Sequence, residues 1–272
     1  MRVQFLNLRV PNSSGGAKPL IREREMSLET VWMAAGIFVL SVFSGMLGFG
    51  VALAAIPFLS LFLTDLVHQV QPLAMALGGT TALFAAIGFY RSGLVDTRLG
   101  AWLALLAALA SPLGVMAAQR VPHQIIWVAY FVSAGYMLWR LIQARPLQTA
   151  PRRQLAWLMV LVVPIAIFST FIGAGVGFLL VPTLIVFGLE PKQAAGTNAV
   201  VVTAQSASAL AFHWQNAQLN LSLVLILMAA GAFGAYLGAR FTSLRLSNQQ
   251  FKYVFVVTMT VLLVYRLYRL LV

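Results

Sequence analysis

The sequence predicts an all-α polytopic membrane helix bundle, with about eight spans in two homologous four-helix halves whose first helices are interrupted by glycine. Three observations predict it. Hydrophobic residues make up 61% of the 272 and charged residues 9%, against about 45–50% and about 25% in globular domains. Apolar stretches recur along the chain between short polar breaks. The two longest of these stretches match each other.

Composition excludes several classes at once. With no cysteine, disulfide frameworks, zinc clusters, Fe–S sites and thiol nucleophiles are ruled out. The 18 Lys+Arg against 6 Asp+Glu do not make a nucleic-acid binder, because they punctuate apolar runs and form no solvated basic face.

Residues 1–29 are read as a cytoplasmic N-terminal tail: they hold Pro11, Asn12, Gly15, Gly16 and the charged run Arg22-Glu23-Arg24-Glu25. The tail has no early apolar core, so it is no ordinary secretory signal, and Met26 is an alternative start. Apolar segments then cover Val31–Leu63, Pro72–Tyr90, Leu99–Ala118, Ile125–Leu141, Leu155–Phe187, Ala194–His213, Leu219–Ala239 and Phe251–Val272. A span needs about 20 residues. Val31–Leu63 and Leu155–Phe187 are 33 residues each, about 50 Å as straight helix, and each carries Gly-x-Gly and then Pro, where membrane helices break.

Counting each long segment as one crossing gives eight spans and, with the N-terminus inside, 13 basic residues inside against 5 outside. Counting each as two gives ten spans and 8 against 10. The positive-inside rule favours eight. Four spans per half would make the halves parallel, and an odd number would make them inverted. Trp32, Trp102, Trp127, Trp157 and Trp214 lie near span ends and read as interfacial anchors. Gly234-x-x-x-Gly238, with Gly231, reads as a small-residue packing face.

The repeat aligns Phe43–Leu59 with Phe168–Leu184, with 7 of 17 residues identical. Gly79-Thr80-Thr81-Ala82 then echoes Gly196-Thr197-Asn198-Ala199. The halves cover 30–142 and 155–272, joined by a basic linker at 143–154. Duplicated halves with helices broken at corresponding places are the mark of secondary transporters, with substrate bound near midplane.

The six acids, Glu23, Glu25, Glu29, Asp65, Asp96 and Glu190, all lie in the tail or at expected helix ends. A buried carboxylate relay is therefore not expected, and the excess of positive charge suits an anionic substrate. Neutral groups can hold one, since backbone N–H groups at a helix N-terminus carry partial positive charge. Gly48, Gly50, Gly173 and Gly175 are the expected interruptions. Thr80, Thr81, Thr197 and Asn198 are expected near helix starts beside them, with Gln205 further along; Thr197, Gln205 and Ser208 fall roughly on one helical face. His213 reads as a headgroup-level residue or a gate, and Arg91 as an interfacial anchor. No metal, no cofactor and no ATP-binding loop is expected. A membrane enzyme would need a buried acid pair, a histidine cluster or a nucleophile–base pair, and none is legible.

These residues resemble the sulfite exporter TauE/SafE family, also called the 4-toluene sulfonate uptake permease family. The resemblance rests on Gly48, Gly50 and Pro57 with Gly79-Thr80-Thr81, on Gly173, Gly175 and Pro182 with Gly196-Thr197-Asn198, and on Gly93-Leu94-Val95-Asp96. The second half carries Ala217-Gln218-Leu219-Asn220 at the last place, so the acid is absent from that copy. The resemblance implies ATP-independent transport of sulfur-containing or other organic anions across the cytoplasmic membrane. The expected partners are a small anionic substrate and the lipid bilayer, with no nucleic acid, and a homo-oligomer is compatible. An anion channel and a non-transporting membrane scaffold are the alternative readings.

Overall fold

The computed structural model describes residues 18–122, 153–173, 175–214, 217 and 219–271, with scattered helical positions between 124 and 139. The tail up to residue 17, most of the basic linker and Trp127 lie outside the described residues. Every regular element among the described residues is helical: α1 (Lys18–Leu47), α2 (Ala52–Leu59), a π turn at Leu66–Val70 leading into α3 (Gln71–Tyr90), α4 (Thr97–Ala118), α5 (Arg153–Phe171), α6 (Gly177–Val186), α7 (Pro191–His213), α8 (Leu221–Arg245) and α9 (Asn248–Leu271). The first helix begins inside the expected tail, where alternating Arg and Glu are good helix formers.

Among the described residues, four helices are long and apolar enough to cross a membrane: Leu28–Leu47, His68–Tyr90, Thr97–Ala118 and Leu221–Arg245. Trp157–Phe171 and Gly177–Val186 are shorter apolar helices. Trp32, Trp102, Trp157 and Trp214 are all exposed, as interfacial anchors require.

Both long segments break at glycine and not at proline. Pro57 and Pro182 sit inside α2 and α6. Gly48, Gly50, Gly173 and Gly175 have φ of 72°, 68°, 76° and 74°, a left-handed backbone that residues with a Cβ resist.

Helix directions follow from contacts at successive heights. Along the seam of α1 and α8, Gly231 meets Ile37 and Ser41, Gly234 meets the Phe38 carbonyl, Gly238 meets the Val42 carbonyl, and Thr242 Oγ1 donates to the Met46 carbonyl. Both numbers rise together, so α1 and α8 are parallel, and the glycines let the backbones touch. Thr81 lies against Gly231 and Gly88 against Ala239, so α3 is parallel to α8 as well. Conversely, Gly79 meets Ser206 while Phe89 meets Gly196, which makes α7 antiparallel to α3. Gly100 meets Thr197 and Val200 and Ser208 Oγ donates to the Ala108 carbonyl, so α4 runs with α7. Gly114, near the end of α4, abuts Ile167, Thr170 and Phe171 at the end of α5; these two helices pack along their lengths, so they too are parallel. Helices α1, α3 and α8 thus end at one face, marked by Arg91. Helices α4, α5 and α7 end at the other, marked by His213.

Because α1 and α3 point the same way, the chain must return between them. It does so at once: Phe58 of α2 packs on Gly36 of α1, so the segment expected to cross once doubles back on itself. Helix α2 is only 8 residues long, about 12 Å. Helices α5 and α7 share a direction in the same way, and α6, with 10 residues, makes the return.

Candidate functional site

The two returning limbs pass each other in the middle of the protein. Descending from the Arg91 face, Gly48 meets the Ala195 carbonyl, Gly50 meets Gly78 and Val202, and Ala52 meets Gly78. Rising from the His213 face, Gly173 meets Gln71 and Ile56, Gly175 meets Ala52 and Val202, and Gly177 meets Phe49 and Asn198. The crossing is therefore at Phe49–Ala52 and Gly175–Gly177, level with the centres of α3 and α7.

Helices α2 and α6 both begin there and diverge. Neither has a side-chain N-cap bond, and only from Ala54 and Leu179 onward do backbone N–H groups bond back to Val51 and Val176, so the N–H groups of Ala52, Leu53, Gly177 and Phe178 precede the ladder. Two helix N-termini place two partial positive charges at one point. Glycine permits the approach: a Cβ at Gly50 would lie 2.6 Å from the Gly78 carbonyl oxygen, and one at Gly177 would collide with Phe49.

The polar residues expected beside the interruptions brace them. Val51 N–H donates to Thr81 Oγ1 at 3.0 Å, and Thr81 Oγ1 in turn donates to the Leu77 carbonyl. Val176 N–H donates to Gln205 Oε1 at 2.6 Å, while Gln205 Nε2 donates to Thr170 Oγ1 at 2.7 Å and to the Ala166 carbonyl at 3.3 Å. Asn198 Nδ2 donates to the Gly48 carbonyl at 2.7 Å, leaving its Oδ1 buried without a partner. These three residues, with the four glycines, are brought together.

The other expected site residues are not. Thr197 accepts from Asp96 N–H at 3.0 Å, at the start of α4. Thr80 turns back to its own helix at the Ala76 carbonyl. His213 closes α7, 16 residues beyond Thr197, about 24 Å along the axis. Thr197 and Ser208 face α4, whereas Gln205 faces α5 and the second interruption, so they do not form the single polar face that their spacing suggested. The buried amide of Gln71, against Gly173, and the unpartnered Ser206 hydroxyl were not singled out as site residues from the sequence. Gln71 sits next to Pro72 at a segment boundary, where a polar residue draws no notice.

Charge is kept away from the crossing. Asp96 caps α4 by accepting from Leu99 N–H at 2.9 Å, Glu190 occupies the N-cap position of α7, and Asp65 pairs with His68 at 2.9 Å near the surface. Asn220 caps α8 by accepting from Ser222 and Leu223 N–H. Asn220 thus does at the start of α8 what Asp96 does at the start of α4.

A family model decides the identity: the sulfite exporter TauE/SafE model matches residues 33–266. The chain belongs to the sulfite exporter TauE/SafE family. No curated protein and no solved structure is detectably similar to it. A TauE/SafE protein is a membrane transporter and not an enzyme, which accords with the several apolar helices.

Proposed function

We propose that this TauE/SafE protein is a secondary carrier that moves small sulfite- or sulfonate-like anions across the cell membrane, binding them where the two interrupted limbs cross. The observation that carries the reading is the meeting of the α2 and α6 N-termini at mid-height with no acid near them. An oxyanion there would take backbone N–H groups as donors and meet no like charge. Phe49, 2% exposed and packed on Gly177, fills the space between the limbs and would have to swing aside to admit the anion.

The halves 30–142 and 155–272 are proposed to be inverted repeats. In support, α1 and α5 run in opposite directions, as do α3 and α7, and α4 and α8. Each half then crosses an odd number of times if its short limb is counted. Alternating access would follow from exchanging the conformations of the two limbs.

Orientation is proposed from charge. Arg91, Arg98, Arg153, Lys192, Arg240 and Arg245 lie at helix ends on the Arg91 face, against Arg120 and, at the start of α1, Lys18, Arg22 and Arg24 on the His213 face. Six against four favours a cytoplasmic Arg91 face by the positive-inside rule and puts the N-terminal tail outside. The sequence count points the other way because it takes each long segment as a single crossing.

The test is flux into proteoliposomes with sulfite, thiosulfate, sulfoacetate and carboxylates. Saturable counterflow of the sulfur oxyanions supports the carrier. Ohmic current would indicate a channel, and flat traces for every anion a scaffold.

A further inference from the structure

The crossing does not account for every buried polar group. Gln71 is 1% exposed, yet neither its Nε2 nor its Oε1 has a hydrogen-bond partner. His213 is 2% exposed, and its Nε2 is likewise unpartnered. Buried polar atoms of this kind are rare and call for a reason. The contrast with Gln205 is sharp, since that amide is bonded through both its atoms.

The two orphaned groups share a height. Along the antiparallel α3 and α7 seam, Phe89 stands at Gly196, Gly79 at Ser206, and Met75 with Ala209 and Leu210. Extending that register brings Gln71 opposite His213. Gln71 also lies at the foot of the second limb, where its Nε2 is 3.1 Å from the position a Gly173 Cβ would take. The Ser206 hydroxyl, also without a partner, lies beside Gly78 at the lower edge of the crossing. Unsatisfied polar atoms therefore mark a line from the crossing toward the His213 face, through an otherwise apolar seam.

We propose that Gln71 and His213 form a second oxyanion-binding station between the crossing and the His213 face. The inference rests on the carrier reading above and adds to it where an anion pauses on the way in or out. Two N–H donors of the Gln71 amide and one of a His213 imidazole protonated at Nε2 suit an anion with several oxygens, and their lack of protein partners leaves them free for it. Gln71 acts by contact with the substrate and holds no helix together.

The experiment uses the full chain in detergent and in proteoliposomes, with sulfite as the probe. Q71L replaces an unpartnered buried amide by an apolar group of similar size, so it should melt at or above the wild-type temperature. Its KM for sulfite counterflow should rise at least about tenfold, the loss of one hydrogen bond to a charged ligand. H213L should raise KM similarly and H213Q less, while Q71E should abolish uptake by putting like charge on the path. Wild-type KM in both Q71L and H213L overturns the station. So does a Q71L protein that melts well below wild type with its KM unchanged, which would make the amide structural. If the wild-type protein itself moves none of the anions, the carrier reading falls and the station with it, so the two failures are told apart.

Discussion

Gln205 accepts the backbone N–H of Val176 at 2.6 Å from 29 residues along the chain, and so pins the second interruption to the middle of α7. Thr81 pins the first interruption through Val51 in the same way. Each limb is open because a side chain of a neighbouring helix takes up a backbone donor that no helix can use.

Removing that acceptor should therefore cost stability before it costs recognition. Q205A leaves the Val176 N–H without its buried acceptor and removes the donor to Thr170 Oγ1, which keeps only its own bond to the Ala166 carbonyl, and should destabilise the protein by about 2 kcal/mol. T80A loses only a bond within its own helix and should stay within about 0.5 kcal/mol of wild type. Thermal unfolding of both variants in detergent checks the difference.

The glycines of the limbs should differ in how they tolerate a methyl group. At Gly175 the nearest atom to a new Cβ is 3.9 Å away, so G175A suffers mainly the left-handed backbone penalty, about 1–2 kcal/mol. At Gly50 the new atom also meets the Gly78 carbonyl oxygen at 2.6 Å. G50A should accordingly be the less stable of the two by size-exclusion and melting, and G50L and G175L should both lose sulfite flux.

Asp96 tests whether any carboxylate takes part in coupling. As an N-cap it is replaceable by asparagine, the residue that the second half uses at Asn220. D96N should keep sulfite flux within about twofold, while D96A loses about 1 kcal/mol of stability. A tenfold loss of flux in D96N with unchanged melting would point to a proton-carrying acid.

The proposed orientation can be read with single cysteines, because the chain has none of its own. An impermeant thiol reagent added to intact cells should label Q119C, on the His213 face, and reach S247C, on the Arg91 face, only after permeabilisation. The opposite pattern would reverse the membrane orientation.

Much of this architecture was legible in the sequence, and the reasons that parts were not are specific. Periodicity and length locate helices, and the glycine interruptions stand where Gly48–Gly50 and Gly173–Gly175 pointed. Direction was not legible: Gly-x-Gly permits a kink or a full reversal, and only the packing of Phe58 on Gly36 decides for reversal. Thr81, Asn198 and Gln205 were found because they are polar inside apolar helices, but their bonds to Val51, Gly48 and Val176 join residues 29 to 150 positions apart. Thr197 carried the same signal as Asn198 and serves α4 instead, since one residue along a helix turns a side chain by about 100°. Gln71 escaped notice because the adjoining Pro72 marked it as a boundary residue.

Protection of a cysteine at Phe49 by substrate tests the central claim most directly. In the F49C protein reconstituted into liposomes, the rate of reaction with a small thiol reagent would be followed with and without a saturating sulfonate, which does not itself react with such reagents. Binding at the crossing predicts that the sulfonate slows labelling of F49C severalfold and leaves S247C unaffected. Labelling of F49C that is indifferent to sulfonate, in a protein that still shows saturable sulfonate counterflow, would place the substrate elsewhere.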